Sequence, residues 1–216
     1  MKGKTGRTRH GSKQESHERE IAPRPDWAVL ALSVAGLGVS SYLTWLKWAG
    51  RGALFCVAGS GCDIVQASRY AIFLGVPTAL WGAVLYAVIG ALGAMGFTVR
   101  RWHGAFLLTA AGVAFSLYLT VLSLYVLGGA CVYCLASGAI AVALLGVLLW
   151  RRPTATGRKS PLRPLRLAAH GALAGAVAIV FGAFVFAAPS SGPPGFQVAL
   201  ARHLKETGAV MYGAYW

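Results

Sequence analysis

An all-α integral membrane protein is what this sequence predicts, and three observations carry the prediction. Of 216 residues, 56% are apolar and 12% charged, against about 25% charged in an ordinary soluble domain. The apolar residues gather into five nearly uncharged runs, 27–48, 77–98, 104–127, 131–150 and 168–188, each close to the roughly 20 residues a helix needs to cross a bilayer. The basic residues, 20 against 6 acidic, lie between those runs and mostly on one side of them. Such a chain is neither disordered nor a water-soluble single core.

The elements follow in order. A polar arm over 1–26 precedes the first run, which has no small-residue cleavage site after it and reads as an anchor and not a removed signal peptide. Trp27, Trp45 and Trp48 suit the interfaces of that span. Arg100 and Arg101 separate the second and third runs, the short turn Gly128-Gly129-Ala130 separates the third and fourth, and 151–167 forms a basic linker to the fifth. Gly90, Gly93 and Gly96 in the second run and Gly171 with Gly175 in the fifth read as sites of close helix packing.

Charge sets the direction, because cytoplasmic loops retain lysine and arginine during insertion. The arm carries seven, the turn after the second run two, and the linker six, fifteen in all. Arg51, Arg69, Arg202 and Lys205 make four on the opposite side, and Lys47 lies near the end of the first span. The N-terminus is therefore expected in the cytoplasm and the C-terminus outside. The net charge of +14 reads as a topology signal. With neither an aromatic-rich basic patch nor a binding-module motif, no nucleic-acid partner is expected.

This topology puts Cys56, Cys62, Cys131 and Cys134 on the outer side, where disulfides form and persist. Cys131 opens the fourth run, so its sulfur lies near unpaired amides and the positive end of a helix dipole, where a thiolate is favoured. Cys134, about one turn deeper, looks into the bundle. One sulfur at the water and one among apolar helices suit a relay from surface thiols to a lipid-soluble acceptor. Other readings stand beside it: structural disulfides stapling the outer loops of a non-enzymatic scaffold, a four-cysteine zinc site, or unrelated apolar cysteines. A staple does not require a helix-start pair at the hydrocarbon boundary, and no domain-like framework surrounds a zinc site, so no metal is expected.

The stretch Cys56-Val-Ala-Gly-Ser-Gly-Cys62-Asp-Ile-Val-Gln-Ala-Ser68-Arg-Tyr70, the lead-in Leu74-Gly75-Val76-Pro77 with Trp81-Gly82, and Cys131-Val-Tyr-Cys134 together resemble the vitamin K epoxide reductase family. The resemblance runs from about 27 to 150. It implies a four-helix quinone-binding bundle over 27–150 with an outer loop at 49–76. By position it makes Cys134 the sulfur next to the quinone and Cys131 its exchange partner. Cys56 is then the shuttle to Cys131, and Cys62 the sulfur that meets an incoming thiol. Ser68 matches a family serine that hydrogen-bonds near the quinone, although a cap or turn role suits it as well. The quinone would be ubiquinone or menaquinone.

Two departures matter. Vertebrate members carry an asparagine near Thr78 and a tyrosine at the place of Gly138, so the chain is expected to resemble the bacterial, disulfide-generating branch, with quinone or vitamin K epoxide reduction as the alternative purpose. Bacterial members often continue through a fifth helix, here 168–188, into an outer thioredoxin-like domain. Residues 196–207 read as a short amphipathic helix and 209–216 resemble that domain's first strand. About twenty residues cannot build such a core, so 189–216 is expected to be the start of a truncated thioredoxin-like domain, fused or supplied as a separate partner. The expected setting is a bacterial plasma (inner) membrane, with secreted protein thiols as ultimate substrates. Asp63, Arg69 and Tyr133 are explained equally by loop charge, snorkelling and interfacial placement, and His103 and His170 lie far from the cysteines.

Overall fold

The computed structural model describes residues 25–49, 61–152, 164–187 and 202–208. Cys56, most of the basic arm, much of the basic linker and most of the C-terminal segment lie outside the described residues. The chain runs through α1 (Trp27–Ala49), a short α2 (Gly61–Ala67), a 3-10 turn (Arg69–Ala71), a two-stranded hairpin of β1 (Ile72–Phe73) and β2 (Val76–Pro77), and then α3 (Thr78–Ala94), α4 (Val99–Tyr125), α5 (Val132–Trp150) and α6 (Pro164–Ala187). Among the described residues four helices, α1, α4, α5 and α6, are long and apolar enough to cross a membrane, and α3 is a shorter apolar helix of 17 residues. The fold is that of an all-α membrane protein.

Backbone chemistry sets the helix ends. The carboxylate of Asp26 accepts from the N–H groups of Ala28 and Val29 at 3.2 and 3.3 Å and so caps α1. The second apolar run was expected to stay helical to 98, yet α3 stops at Ala94. Gly96 adopts φ +73° and its N–H donates to the Gly93 carbonyl at 3.2 Å, a left-handed closure that glycine permits. Gly96 is thus a terminator and not a packing site. Thr98 then caps α4, accepting from the Arg101 N–H at 3.4 Å, so Arg100 and Arg101 lie in the first turn of α4 and not in a loop. Similarly α6 begins at Pro164, a residue suited to a first helical turn, four positions before the run expected at 168, and Arg166 falls inside the helix.

The helices α1, α3, α4 and α5 close a ring, α1 against α3 and α5, and α4 against α3 and α5, while α6 packs on α4. Glycines bring the axes together. A Cβ at Gly36 would stand 2.5 Å from the Tyr86 ring, and one at Gly93 3.1 Å from Val29. On the other side Gly171, Gly175 and Gly182 of α6 face Phe106, Ala114 and Phe115 of α4 at 2.6–3.0 Å on the same measure.

The two ends of the ring differ. Where α1 begins and α3 and α5 end, Trp102, Phe106, Ile89, Leu144 and Leu148 form a sealed core. The Trp102 indole N–H donates to the Leu148 carbonyl at 3.1 Å. Asp26 ties this end together, its N–H donating to Gly93 O at 3.0 Å and its carboxylate pairing with Arg151 at 2.9 Å. The opposite end holds α2, the hairpin, the turn at 126–131 and a cavity.

Candidate functional site

A pair of glycines builds the cysteine centre. Gly61 opens α2, and a Cβ there would lie 2.5 Å from the Ala130 nitrogen and 2.6 Å from its carbonyl oxygen; a Cβ at Gly129 would lie 2.9 Å from the Gly61 Cα. Backbone therefore rests directly on backbone where α2 meets the turn ahead of α5. Gly128, at φ +66°, makes that turn tight. Each glycine immediately precedes or nearly precedes a cysteine, and the contact carries Cys62 to Cys131.

Cys131 is the residue just ahead of α5, and both it and Cys62 are buried. The thiol of Cys134 hydrogen-bonds with the Cys131 sulfur, and that contact is the main reason the Cys131 pKa is lowered from 9.0 to about 6. Burial opposes the shift, and the Cys134 amide, the Cys62 thiol and the Tyr133 amide support it. The helix-start amides do what the spacing predicts, but neighbouring thiols contribute more. The structure thus brings Cys62, Cys131 and Cys134 into one cluster. Cys62, buried, lies against Cys131; Cys56, to which the resemblance gives the shuttle role, lies outside the described residues.

Below the cluster lies a cavity of about 360 Å³ with Cys131 and Cys134 in its wall. Most of the lining is apolar: Leu43, Phe73, Pro77, Trp81, Leu85, Phe115, Leu119 and Leu135. A few polar groups converge on it. Tyr86 donates to the Ser137 carbonyl at 2.6 Å and lies 3.1 Å from the Ser137 hydroxyl. Thr78 donates to Tyr70 O at 2.8 Å. The Lys47 ammonium donates to the Gln66 carbonyl, which fastens the end of α1 to α2. An apolar chamber with sparse polar groups and a reactive sulfur in its wall fits an apolar, reducible molecule.

Ser68 does not line this cavity. Its hydroxyl donates to the Val65 carbonyl at 2.7 Å, closing the turn after α2, so the turn role weighed from sequence is the one its geometry fits. Gly138, in the place of the vertebrate tyrosine, packs toward Ser116, 2.7 Å from a would-be Cβ, and is likewise outside the lining. Arg69 donates to the Phe186 carbonyl at the end of α6 and lies 5.8 Å from the Tyr70 ring centroid. Tyr133 packs on Tyr42 of α1 at 5.8 Å. His103 and His170 touch each other at 5.3 Å, on α4 and α6 toward the sealed end.

Residues that the sequence did not single out complete the chamber. Phe73, buried on the hairpin, meets Trp81, Phe115, Phe181 and Phe186 at centroid distances of 5.4–6.2 Å and roofs the cavity. No periodicity marks a two-residue strand, so Phe73 carried no signal. Tyr86 was legible only as one more apolar-run residue, and its partner Ser137 lies 51 positions away.

Comparison with known proteins agrees with this geometry. The pattern of the Vitamin K epoxide reductase family matches residues 27–149, which covers the ring of helices and the cysteine cluster. Thiol-disulfide oxidoreductase LTO1 of Arabidopsis thaliana is 31% identical over 202 residues, 82% of this chain and 53% of that protein. The chain spans about half the length of this curated relative.

Proposed function

The chain belongs to the vitamin K epoxide reductase family, and from that premise we propose that it is a membrane thiol oxidase that generates disulfides and passes the electrons to a lipid quinone. The observation that carries the proposal is a single one: Cys131 and Cys134 stand in the wall of an apolar cavity while Cys62 lies against Cys131. The 31% identity to a thiol-disulfide oxidoreductase supports the thiol half of the reaction. The quinone, ubiquinone or menaquinone, is supported by the volume and apolar lining of the cavity.

Electrons move in three balanced exchanges. A dithiol on a thioredoxin-like domain or protein reduces the Cys56–Cys62 disulfide through a mixed disulfide and becomes a disulfide itself. The freed Cys62 thiolate attacks Cys131 of a Cys131–Cys134 disulfide, Cys134 leaves as thiolate, and Cys56 then displaces Cys131 to restore the loop pair. The reduced Cys131 and Cys134 give two electrons and two protons to the acceptor, re-forming their disulfide and releasing quinol. The quinone supplies the oxidising power, at about 1.4 kcal/mol for each 30 mV of two-electron potential difference. The protein supplies proximity and a lowered Cys131 pKa.

The cysteine end is proposed to face the extracytoplasmic side of a bacterial plasma membrane, on the strength of the lysine and arginine distribution, with secreted proteins as the ultimate thiol donors. The places where the family pattern is broken lend epoxide reduction no support, since Thr78 spends its hydroxyl on Tyr70 and Gly138 offers no side chain. The test is anaerobic single-turnover reduction of a lipid quinone, driven by a reduced thioredoxin-like protein. Wild type is expected to form quinol and Cys134→Ala to form none. A wild type that reduces neither ubiquinone nor menaquinone, with its disulfides fixed under mild thiol, overturns the proposal in favour of structural staples.

A further inference from the structure

Two histidines that the proposed relay does not use meet at the sealed end of the bundle. His103 of α4 and His170 of α6 stand with ring centroids 5.3 Å apart and planes at 77°, where Gly171 packs on Phe106 and lets the two helices approach. Residues three or four apart share a helix face, so Arg100 stands one turn before His103 on α4 and Arg166 one turn before His170 on α6. Arg100, Arg166 and His170 are exposed. Basic side chains from both helices thus line one groove.

No acid answers them. Neither helix has an acidic residue in its first turn, and both begin at this end, so each adds the positive pole of its dipole to the same place. Among the described residues the carboxylate at this end is that of Asp26, already engaged by Arg151 and by the start of α1. His103 Nδ1 is closed off from solvent without a hydrogen-bond partner, and a buried polar atom in that state calls for one. A metal ion does not suit the groove. Among the described residues no group of three or more metal-binding side chains gathers, and the arginines repel a cation. An anion with several acceptor oxygens does suit it, because guanidinium and imidazolium groups donate charge-assisted hydrogen bonds to phosphate.

Depth selects the kind of phosphate. The 27 residues of α4 extend about 40 Å at 1.5 Å per residue, against a hydrocarbon core of roughly 30 Å. The end turns of α4 therefore stand at headgroup level, where basic pockets between transmembrane helices take lipid phosphates. We propose that the groove formed by Arg100, His103, Arg166 and His170 binds the phosphodiester of an anionic phospholipid, whose oxygens bridge α4 and α6. The bound headgroup relieves the repulsion between the two arginines and the two helix ends and fastens α6 to the bundle. This site lies at the end opposite the cysteines and does not depend on the quinone reading.

The test uses the whole protein, delipidated in a neutral detergent and titrated with phosphatidylglycerol or phosphatidylcholine of matched chains, with bound lipid read by native mass spectrometry. Wild type is expected to retain phosphatidylglycerol in preference to phosphatidylcholine. Arg100→Gln/Arg166→Gln is expected to lose about thirtyfold of that preference, about fivefold for each arginine. Arg101→Gln/Arg152→Gln removes the same charge from the same end, but Arg101 reaches back to the Met95 carbonyl after α3, and the preference is expected to survive. Equal loss in the two variants reduces the effect to diffuse charge and overturns the site. So does a wild type without preference, or a groove variant that keeps it. Where the double variant does not fold, Arg100→Gln and Arg166→Gln alone carry the test, each expected to lose about fivefold. Inorganic phosphate provides the other arm. Phosphatidylglycerol is expected to stay bound under a large excess of it, and displacement identifies a free anion as the ligand and overturns the lipid assignment.

Discussion

Replacing Gly61 by alanine adds one methyl group to the contact that holds Cys62 against Cys131. Gly61 does not have the positive φ of Gly75, Gly96, Gly128 or Gly208, so alanine is conformationally allowed and the effect comes from contact alone. The new Cβ would stand 2.5 Å from the Ala130 nitrogen, and moving it to the 3.4 Å at which ordinary contact begins requires 0.9 Å of separation. The neighbour is backbone, which cannot swing aside as a side chain does. A displacement of about 1 Å between reacting groups costs on the order of a hundredfold in rate, or about 2.7 kcal/mol in the barrier. The assay is anaerobic stopped-flow with fully reduced protein and excess quinone. Four thiols hold two electron pairs. The first quinol comes from Cys131 and Cys134, both on one side of the contact, and the second waits for the loop pair to pass its electrons across it. Gly61→Ala is expected to leave the first phase near its wild-type rate and slow the second about a hundredfold. Gly38→Ala, with nothing within 4 Å of the new Cβ, serves as control. A variant with an unchanged second phase, or with both phases slowed equally, would refute the claim that this contact gates transfer.

Four further outcomes follow from the same structure. The Cys131 thiol, held at about 6, is ionised at neutral pH, so its alkylation by iodoacetamide should stay fast above pH 7 and fall about tenfold per unit below 6; Cys134→Ala, which removes the largest cause, should move the midpoint upward. Because the folded value lies below the ordinary 9.0, this thiolate stabilises the reduced protein fully above pH 9, and that stabilisation is lost as pH falls through about 6, which thermal unfolding across the range would register. Gly36→Ala forces a Cβ to 2.5 Å from the buried Tyr86 ring and is expected to cost about 1–3 kcal/mol by overpacking, read as a lowered unfolding midpoint with weakened quinone binding. Asp26→Ala removes a helix cap worth about 1 kcal/mol and a half-exposed ion pair worth no more than about 1; stability should drop by that sum with both quinol phases intact, since Asp26 sits at the end remote from the cysteines.

The helices and the cysteine end were legible because bilayer crossing imposes long apolar runs and helix-start cysteines have a recognisable spacing. Their ends were less so. Apolarity alone extended the second run through Gly96, where a left-handed backbone stops the helix, and it started the fourth and sixth helices late because arginine is tolerated in a first turn. The pairing of Cys62 with Cys131 was hidden for a different reason. It depends on Gly61 meeting Gly129 and Ala130 across 68 positions of chain, and two glycines in separate turns announce no partner. Ser68 illustrates the converse, a serine whose local hydrogen bond to Val65 competes with any distant role.

The most direct test of the relay asks whether Cys62 and Cys131 exchange. In a Cys56→Ser/Cys134→Ala variant they are the two cysteines left, and mild oxidation followed by alkylation and peptide mapping reads their state. The account predicts that the peptides bearing Cys62 and Cys131 are recovered as one disulfide-linked species. Recovery of both cysteines alkylated, with the protein folded, would contradict it and leave the quinone-facing pair without a route to the loop.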